Sequence, residues 1–333
     1  MTGRSAVSWS AGRRLVRVLG VLVVVGCGLV ALPLLVLLAA PALQAMNRPL
    51  AFLACGIPYL PLPLAGVAVG LLLALPGRRR WGAVALLVLA LVAGSSPSWR
   101  FPVAETPRPN ADDLRVVSLN TEFGLADRPT ILRLAASADV LAFQENIPEL
   151  VTWLDEDGLS RDFPYRLGTS AYGPSGTIVW SRTPLTLAAS GRTRFTSLVV
   201  RTTVRGTDWT VSTVHAVSPL DGSRVWEADA AAVADLVRPY TSEHLVVVGD
   251  FNGIDQHVTM QRIRAVGLQD SMDGWPLAGA DGWQLSWPTH PRVPVLIRID
   301  HALHSASVAA WRPEYVVVAG TDHRAVVATF RAR

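Results

Sequence analysis

Asp250 and Asn252 close the run Val246-Val-Val-Gly-Asp-Phe-Asn252, in which an apolar strand ends on glycine and presents two polar side chains at its mouth. Residues two apart on a strand point to the same side, so a carboxylate and a carboxamide share one side of a strand end. That pair suits metal and phosphate chemistry better than packing. An Asp/Asn turn after any strand looks the same in isolation, so the weight falls on what accompanies it.

Further polar signatures follow apolar runs downstream of residue 110. Asn120 and Glu122 come after Val116–Leu119, Gln144-Glu145 after Val140–Phe143, His215 after Thr210–Val214, and Asp300-His301 after Ile299, while Asp322-His323 precedes the last apolar run, Ala325–Phe330. In this order the set resembles the endonuclease/exonuclease/phosphatase superfamily, the group that includes deoxyribonuclease-like nucleases, sphingomyelinases and inositol-polyphosphate phosphatases. The resemblance spans about residues 112 to 333.

The residue types themselves point to a hard cation. Both cysteines, Cys27 and Cys55, lie in apolar runs near the N-terminus, which leaves carboxylates, carboxamides and imidazoles, a donor set suited to Mg²⁺ or Mn²⁺. Zinc would lean on His301 and His304, but residues three apart on a strand face opposite ways. Glu145 directly follows an apolar strand, where an unpaired charge at the core edge is costly, so it is the first metal ligand expected. Asn120 and Asp322 complete the metal neighbourhood, directly or through water, and Glu122 is either a further ligand or a solvated residue. His215 and His323 are the acid/base candidates, since a neutral imidazole accepts a proton near neutral pH. The resemblance implies that His323 is the family's histidine and that Asp300 orients it.

The chemistry expected is metal-assisted in-line hydrolysis of a phosphate ester. The cation and His215 offset charge on the non-bridging oxygens, Asn252 orients the phosphate, and Asp250 with His323 positions and deprotonates water. A serine-hydrolase alternative at Gly173-Pro-Ser175-Gly176 lacks the required second glycine and is followed by a strand where a helix is needed. The expected activity is nuclease-like, with a phospholipid or sphingomyelin-type phosphodiesterase or a lipid or inositol phosphatase as alternatives, so the substrate is a nucleic acid, a lipid or a soluble phosphate ester. A non-catalytic membrane-anchored binding module is the other alternative, and no protein partner is implied. Arg192, Arg194, Arg201 and Arg205 form either a local basic groove or solvated strand edges, and Trp275, Trp283 and Trp287 either stack on bases, dip into headgroups or simply pack.

The elements that must position these residues alternate irregularly. Nine apolar β-rich runs are expected as strands from Leu114 to Phe330, with helices at Thr130–Ala138 and Arg224–Val237. The mixture predicts an α/β sandwich, and the resemblance implies a four-layer form with two packed β-sheets flanked by helices.

Charge divides the chain into a membrane domain, residues 1–104, and a catalytic domain, residues 105–333. All 26 acidic residues lie at or after Glu105, whereas nine of the 30 basic residues precede it, so the later segment holds 21 basic against 26 acidic residues, a net −5. The pI of 9.6 therefore reports arginines flanking apolar runs and not a polyanion-coating domain. Three apolar runs, Val18–Asn47, Pro49–Gly77 and Trp81–Trp99, each approach the roughly 20 residues that cross a bilayer. Three transmembrane helices are expected, with Arg13, Arg14, Arg17 and Arg78–Arg80 on the cytoplasmic side. That places the catalytic domain outside the cytoplasm of a bacterial cell, anchored to the lipid bilayer.

Overall fold

The computed structural model describes residues 4–93, 110–191, 193–273, 278–279, 282–290 and 292–333. The chain divides into an N-terminal unit, Met1–Gln44 with Pro49–Ser96, and a second unit that holds Pro97–Arg333.

The N-terminal unit is helical: α1 (Arg4–Ala39), α2 (Arg48–Ala54), α3 (Pro61–Ala74) and α4 (Arg79–Ala93), with single 3₁₀ turns at Pro41–Ala45 and Ile57–Tyr59. Three spanning helices were expected, and the structure corrects this. Among the described residues only one helix, through Gly12–Ala39, is long and apolar enough to cross a membrane by itself. The second run is broken: Arg48–Tyr59 and Pro61–Ala74 meet at 65° and pass the same test only if taken together as one bent span. Gly56, Pro58, Pro61 and Pro63 explain the break, because proline removes a backbone donor and clashes with the preceding turn. The third run forms the 15-residue α4, and its remainder lies outside the described residues.

The second unit begins with β1 (Leu114–Asn120), α5 (Arg128–Ala135), β2 (Val140–Gln144), α6 (Pro148–Glu156) and α7 (Leu159–Asp162). It continues through β3 (Tyr165–Thr169), β4 (Thr177–Ser181), β5 (Thr186–Ser190), β6 (Leu198–Val204), β7 (Thr207–His215), α8 (Ser223–Val237) and β8 (Leu245–Asp250). The last elements are α9 (Val258–Arg264), β9 (Gln269–Asp270), β10 (Ala278–Gly279), β11 (Gly282–Trp283), β12 (Asp300–His304), β13 (Val308–Ala310), β14 (Glu314–Val317) and β15 (Arg324–Ala332).

Two mixed sheets face each other. One runs β13-β15-β1-β2-β4-β3 with β14 also on β15, and the other β5-β6-β7-β8-β12-β9. Each has a central parallel pair, β1 with β2 and β7 with β8. Strand alternation sorts the side chains into layers. Val116, Val140, Ala142, Val211, Val246, Val248 and Ala302 pack between the sheets. Their neighbours Val117, Leu119, Leu141 and Phe143 face outward onto Ile131, Leu150 and Leu154 of α5 and α6. On the far side Val214, Val247 and Leu303 pack on Val233, Val237, Met260 and Ile263 of α8 and α9. The order helix, sheet, sheet, helix is the four-layer α/β sandwich expected.

This alternation also places the site. Asn120 continues the inward face of Val116, Gln144 that of Ala142, His215 that of Val211, Asp250 that of Val248, and Asp300 leads into Ala302 on the same face. The polar residues therefore cap one end of the layer between the sheets. Gln144 ties the sheets together at depth, its Nε2 donating to Thr213 Oγ1 at 3.0 Å. Gly249 is required at φ +146°, where an added Cβ would stand 2.0 Å from the Val214 carbonyl oxygen and force β7 and β8 apart beside Asp250.

Candidate active site

All eight residues expected at the site join one chain of contacts. Asn120 Nδ2 lies 3.1 Å from both Glu145 Oε1 and Asp250 Oδ2, and so bridges the two sheets. Asn252 donates its backbone N–H to Asp250 Oδ1 at 2.8 Å and its Nδ2 to Asp250 Oδ2 at 3.3 Å. His215 Nε2 stands 3.6 Å from Glu145 Oε1 and 3.8 Å from Asp250 Oδ2. His323 Nδ1 donates to Asp300 Oδ2 at 2.9 Å, while its Nε2 faces Asp250 Oδ2 at 3.8 Å and Asp322 Oδ1 at 3.6 Å. Glu145 and Asn252 hold this geometry with left-handed backbones, φ +57° and +46°, conformations uncommon for residues other than glycine.

Electrostatics separates the titratable groups. For His323, burial opposes the charged form, but the carboxylates of Asp300 and Asp250 outweigh it and push the imidazole up, to about 10. Its Nδ1 proton is committed to Asp300, so near neutral pH Nε2 also carries a proton and is a donor. Burial pushes the Asp250 carboxyl up, to about 7, with His323 opposing and Asp300 reinforcing the shift. A buried carboxylate of this kind is a stronger base than an exposed one. His215 moves the other way: burial pushes it down to about 4. Its Nδ1 lies 2.8 Å from the Pro174 carbonyl, which only accepts, so the neutral ring carries its proton on Nδ1 and turns a lone pair on Nε2 toward Glu145 and Asp250. Phe195 packs on this ring with centroids 4.7 Å apart. The expected charge-offsetting role of His215 therefore meets an imidazole built to stay neutral.

Asn120, expected in the metal neighbourhood directly or through water, stands beside Glu145: its Oδ1 accepts the Glu122 N–H at 3.0 Å and its Nδ2 turns to the two carboxylates, so it orients Glu145 and Asp250. The carboxylates fit a cation better. Glu145 is raised by burial, with Asp322 adding to the shift, and Glu122 is raised by burial and then by Asp322. Asp322 thus acts on both Glu145 and Glu122, and carboxylates are the oxygen donors that a hard divalent cation takes. A second acid–imidazole grouping, Asp250, Asp300 and His323, also brings its ligand atoms within 4.8 Å of one another, but the His323–Asp300 bond already satisfies part of it.

Other residues support the site, Trp287 in a role other than those expected for it and Ser286 and Thr321 with no sequence signal. Trp287 Nε1 donates to Asp322 Oδ2 at 2.8 Å, which makes this tryptophan a support for the carboxylate and not a stacking platform. Trp275 and the side chain of Trp283 lie outside the described residues. Ser286 Oγ accepts the backbone N–H groups of Ile299 and Asp300, and Thr321 donates to the Asn120 carbonyl at 2.8 Å while accepting the His323 N–H at 3.1 Å. Among the described residues the candidate arginines are paired with carboxylates: Arg194 stands 3.8 Å from Asp221, Arg201 binds Glu243 at 2.7 Å and Arg205 binds Asp139 at 2.9 Å, while Arg192 lies outside the described residues.

The profile of the Endonuclease/Exonuclease/phosphatase family matches residues 117–323. The chain belongs to this family. Solved structures with the same fold include the Bacteroides thetaiotaomicron VPI-5482 mannosyl-6-phosphatase, 15% identical over 66% of this chain and 99% of that one, with a TM-score of 0.51. D. rerio TDP2 complexed with a single-strand DNA product is 19% identical over 66% of this chain and 99% of its own, TM-score 0.50. The human Nocturnin catalytic domain with a bound sulfate anion is 14% identical over 67% and 94%, TM-score 0.50. At these identities the likeness is one of fold. No curated protein matches the chain.

Proposed function

We propose that the chain is a membrane-anchored, divalent-metal-dependent phosphoesterase that hydrolyses phosphodiester or phosphomonoester bonds. Residues 1–104 form the membrane domain and 105–333 the catalytic domain. The observation that carries this reading is the buried line Asp300–His323–Asp250, in which one imidazole is held as a donor and the facing carboxylate is kept basic by burial.

Glu145 and Asp322, with Glu122 beside them, would hold Mg²⁺ or Mn²⁺. The bound cation supplies positive charge against the phosphate oxygens. Asn120 fixes Glu145 relative to Asp250. Asp250 Oδ2 accepts the proton of the attacking water. Asn252 Nδ2 donates to the Ala216 carbonyl at 2.9 Å and to Asp250 Oδ2 at 3.3 Å, and orienting the substrate phosphate, its expected role, would require it to exchange one of these acceptors. His323 donates from Nε2 to developing charge on oxygen, held in that tautomer and orientation by Asp300. The neutral His215 offers its Nε2 lone pair to a water or proton beside Glu145.

The relatives of similar fold carry names that speak of a sugar phosphate in one case and DNA in another, so the substrate follows from the chain's own features. A net −5 on residues 105–333 and arginines already paired to carboxylates disfavour tight, nonspecific grip of a polyanion. Small or lipid-borne phosphate esters fit better than long nucleic acid. An extracytoplasmic domain, with environmental or outer-leaflet substrates in reach, requires the run that begins with α4 to complete a crossing of its own. A periplasm-dependent phosphatase reporter fused after Arg333 should then be active, and an inactive one rejects that placement.

The function is tested with purified full-length protein against DNA, RNA, phospholipids and soluble phosphomonoesters. Hydrolysis should cease in EDTA and return with Mg²⁺ or Mn²⁺, and Glu145→Ala should weaken metal binding while the fold persists. Undiminished turnover in chelator overturns the metal-dependent reading.

A further inference from the structure

The N-terminal unit holds a cavity of about 500 Å³ whose walls include Arg13 and Arg17 of α1, Arg80 of α4, and the apolar Val16, Leu72 and Pro76. Its place follows from how the helices meet. α1 and α3 touch through glycine: a Cβ added to Gly20 would lie 2.6 Å from the Ala74 backbone nitrogen and 2.7 Å from the Gly70 oxygen, so neither position has room for a side chain. Farther along, Gly66 meets Cys27 and Gly56 meets Leu34, which makes the two helices antiparallel. The close contact with Gly20 reaches Leu73 and Ala74, the last residues of α3. There α3 ends; Leu75 turns extended at φ −90° and ψ 137°, and Gly77 at φ +60° returns the chain into α4. The cavity lies between the turns of α1 that precede Gly20 and this end of α3 with its turn into α4.

Its chemistry is one-sided. Arg13 and Arg17 are four apart and share a helix face. Arg80 comes from the opposite wall, its guanidinium 5.6 Å from the Trp81 ring centroid. No aspartate or glutamate occurs in the first 104 residues, so no carboxylate of this segment can neutralise the three cations. Guanidinium groups bind phosphate oxygens in bidentate geometry, and the apolar wall beside them suits hydrocarbon. A free phosphate ion would use only the arginines, whereas a phospholipid uses both surfaces.

We propose that this cavity binds the headgroup of one anionic phospholipid from the arginine-flanked leaflet, with its acyl chains along Val16 and Leu72. The proposal rests on the reading of residues 1–104 as membrane-embedded. Basic pockets between membrane helices on the cytoplasmic side have this ligand chemistry, at about 1 kcal/mol per arginine near the surface.

The test uses full-length protein in neutral detergent, titrated with phosphatidylglycerol and followed by native mass spectrometry. The wild type should retain one phosphatidylglycerol and no phosphatidylcholine. The triple variant Arg13→Gln, Arg17→Gln, Arg80→Gln should bind roughly 100-fold more weakly. The triple variant Arg14→Gln, Arg78→Gln, Arg79→Gln removes equal charge from the same ends but spares the cavity, and should stay near wild type. Val16→Trp fills the cavity, removes no charge, and should also release the lipid. Equal weakening by both triple variants reduces the effect to general positive charge and overturns the site. Full displacement by excess inorganic phosphate overturns the lipid as its ligand. Carbonate extraction of vesicles separates the underlying reading: protein released to the supernatant overturns membrane embedding itself, whereas protein retained with indistinguishable triple variants overturns only the lipid site.

Discussion

Two clusters in the catalytic unit share one composition and differ in what fills them. Asp250, Asp300 and His323 bring their ligand atoms within 4.8 Å of one another, and so do Asp255, Asp270 and His301. In the second, the Arg298 guanidinium occupies the centre, 2.5 Å from both Asp255 oxygens and 3.0 and 3.1 Å from those of Asp270. His301 has both ring nitrogens engaged, Nδ1 on Asp270 at 2.8 Å and Nε2 on the Gly253 carbonyl at 2.8 Å. That cluster is a closed ion network with no free coordination. In the first, His323 is bound only through Nδ1, and its Nε2 faces Asp250 and Asp322 at distances too long for a hydrogen bond. Two aspartates and a histidine mark a reactive centre only when one ligand atom is left unspent.

The comparison breaks most sharply by deletion in the open cluster. His323→Ala should lower turnover per folded molecule by about 10² to 10⁴-fold, and it also costs some stability because it removes the imidazolium that faces Asp300 and Asp250. Asp300→Asn should act in the same direction, and the double variant should lose no more than His323→Ala alone, because Asp300 works through that ring. Near-wild-type turnover of purified His323→Ala, or additive losses, removes the histidine from the mechanism.

The closed cluster should answer in the other observable. Arg298 is buried, and Arg298→Met would leave Asp255 and Asp270 without their cation, a loss of about 3–5 kcal/mol in unfolding free energy by denaturant titration. The same network touches the reactive loop through Gly253 and reaches Asp300 through Tyr315, whose hydroxyl donates to the Asp300 carbonyl at 3.2 Å. Turnover per folded molecule should nevertheless fall less than in His323→Ala. If Arg298→Met is as stable as wild type, the cluster is not the structural brace described.

What the sequence could show divides along the same line. Strand ends on the inward face were legible because alternation fixes the direction of Asn120, His215 and Asp250 once the apolar run is seen, and His301 and His304 do face opposite layers as their spacing required. Edge strands such as β3 and β5 were not, since their half-exposed residues form no apolar run. Nor was α6, nine residues long and begun by Pro148. At the site, side-chain direction was legible and protonation was not. The Pro174 carbonyl that sets the His215 tautomer and the Glu122 N–H that turns the Asn120 amide come from backbone, which has no residue signature. Arg298 precedes Ile299-Asp300 in plain view, yet only the fold shows that it fills the neighbouring cluster. The membrane spans were overcounted because hydropathy reads composition, while the prolines of the second run act on geometry.

The smallest effect concerns pH and the buried Asp270. Burial alone would raise its carboxyl, but Arg298, followed by the hydrogen bond and charge of His301, outweighs burial and holds it well below the usual carboxylate range. A folded-state pKa below the unfolded value of about 3.9 means that the unfolded chain takes up the proton first. The stabilisation is therefore fully present above about pH 4 and shrinks as pH falls further. Urea unfolding of wild type should lose stability steeply from pH 4 to pH 3, and Asp270→Asn, less stable at pH 6, should show a shallower slope over that interval. His323 gives the opposite sign: its folded pKa lies above the unfolded value near 6.5, so its contribution is present below that and declines only as pH rises toward about 10. An acid limb unchanged in Asp270→Asn would show that Arg298 is not holding this carboxylate ionised, and the distinction between a closed and an open cluster would then rest on His323 alone.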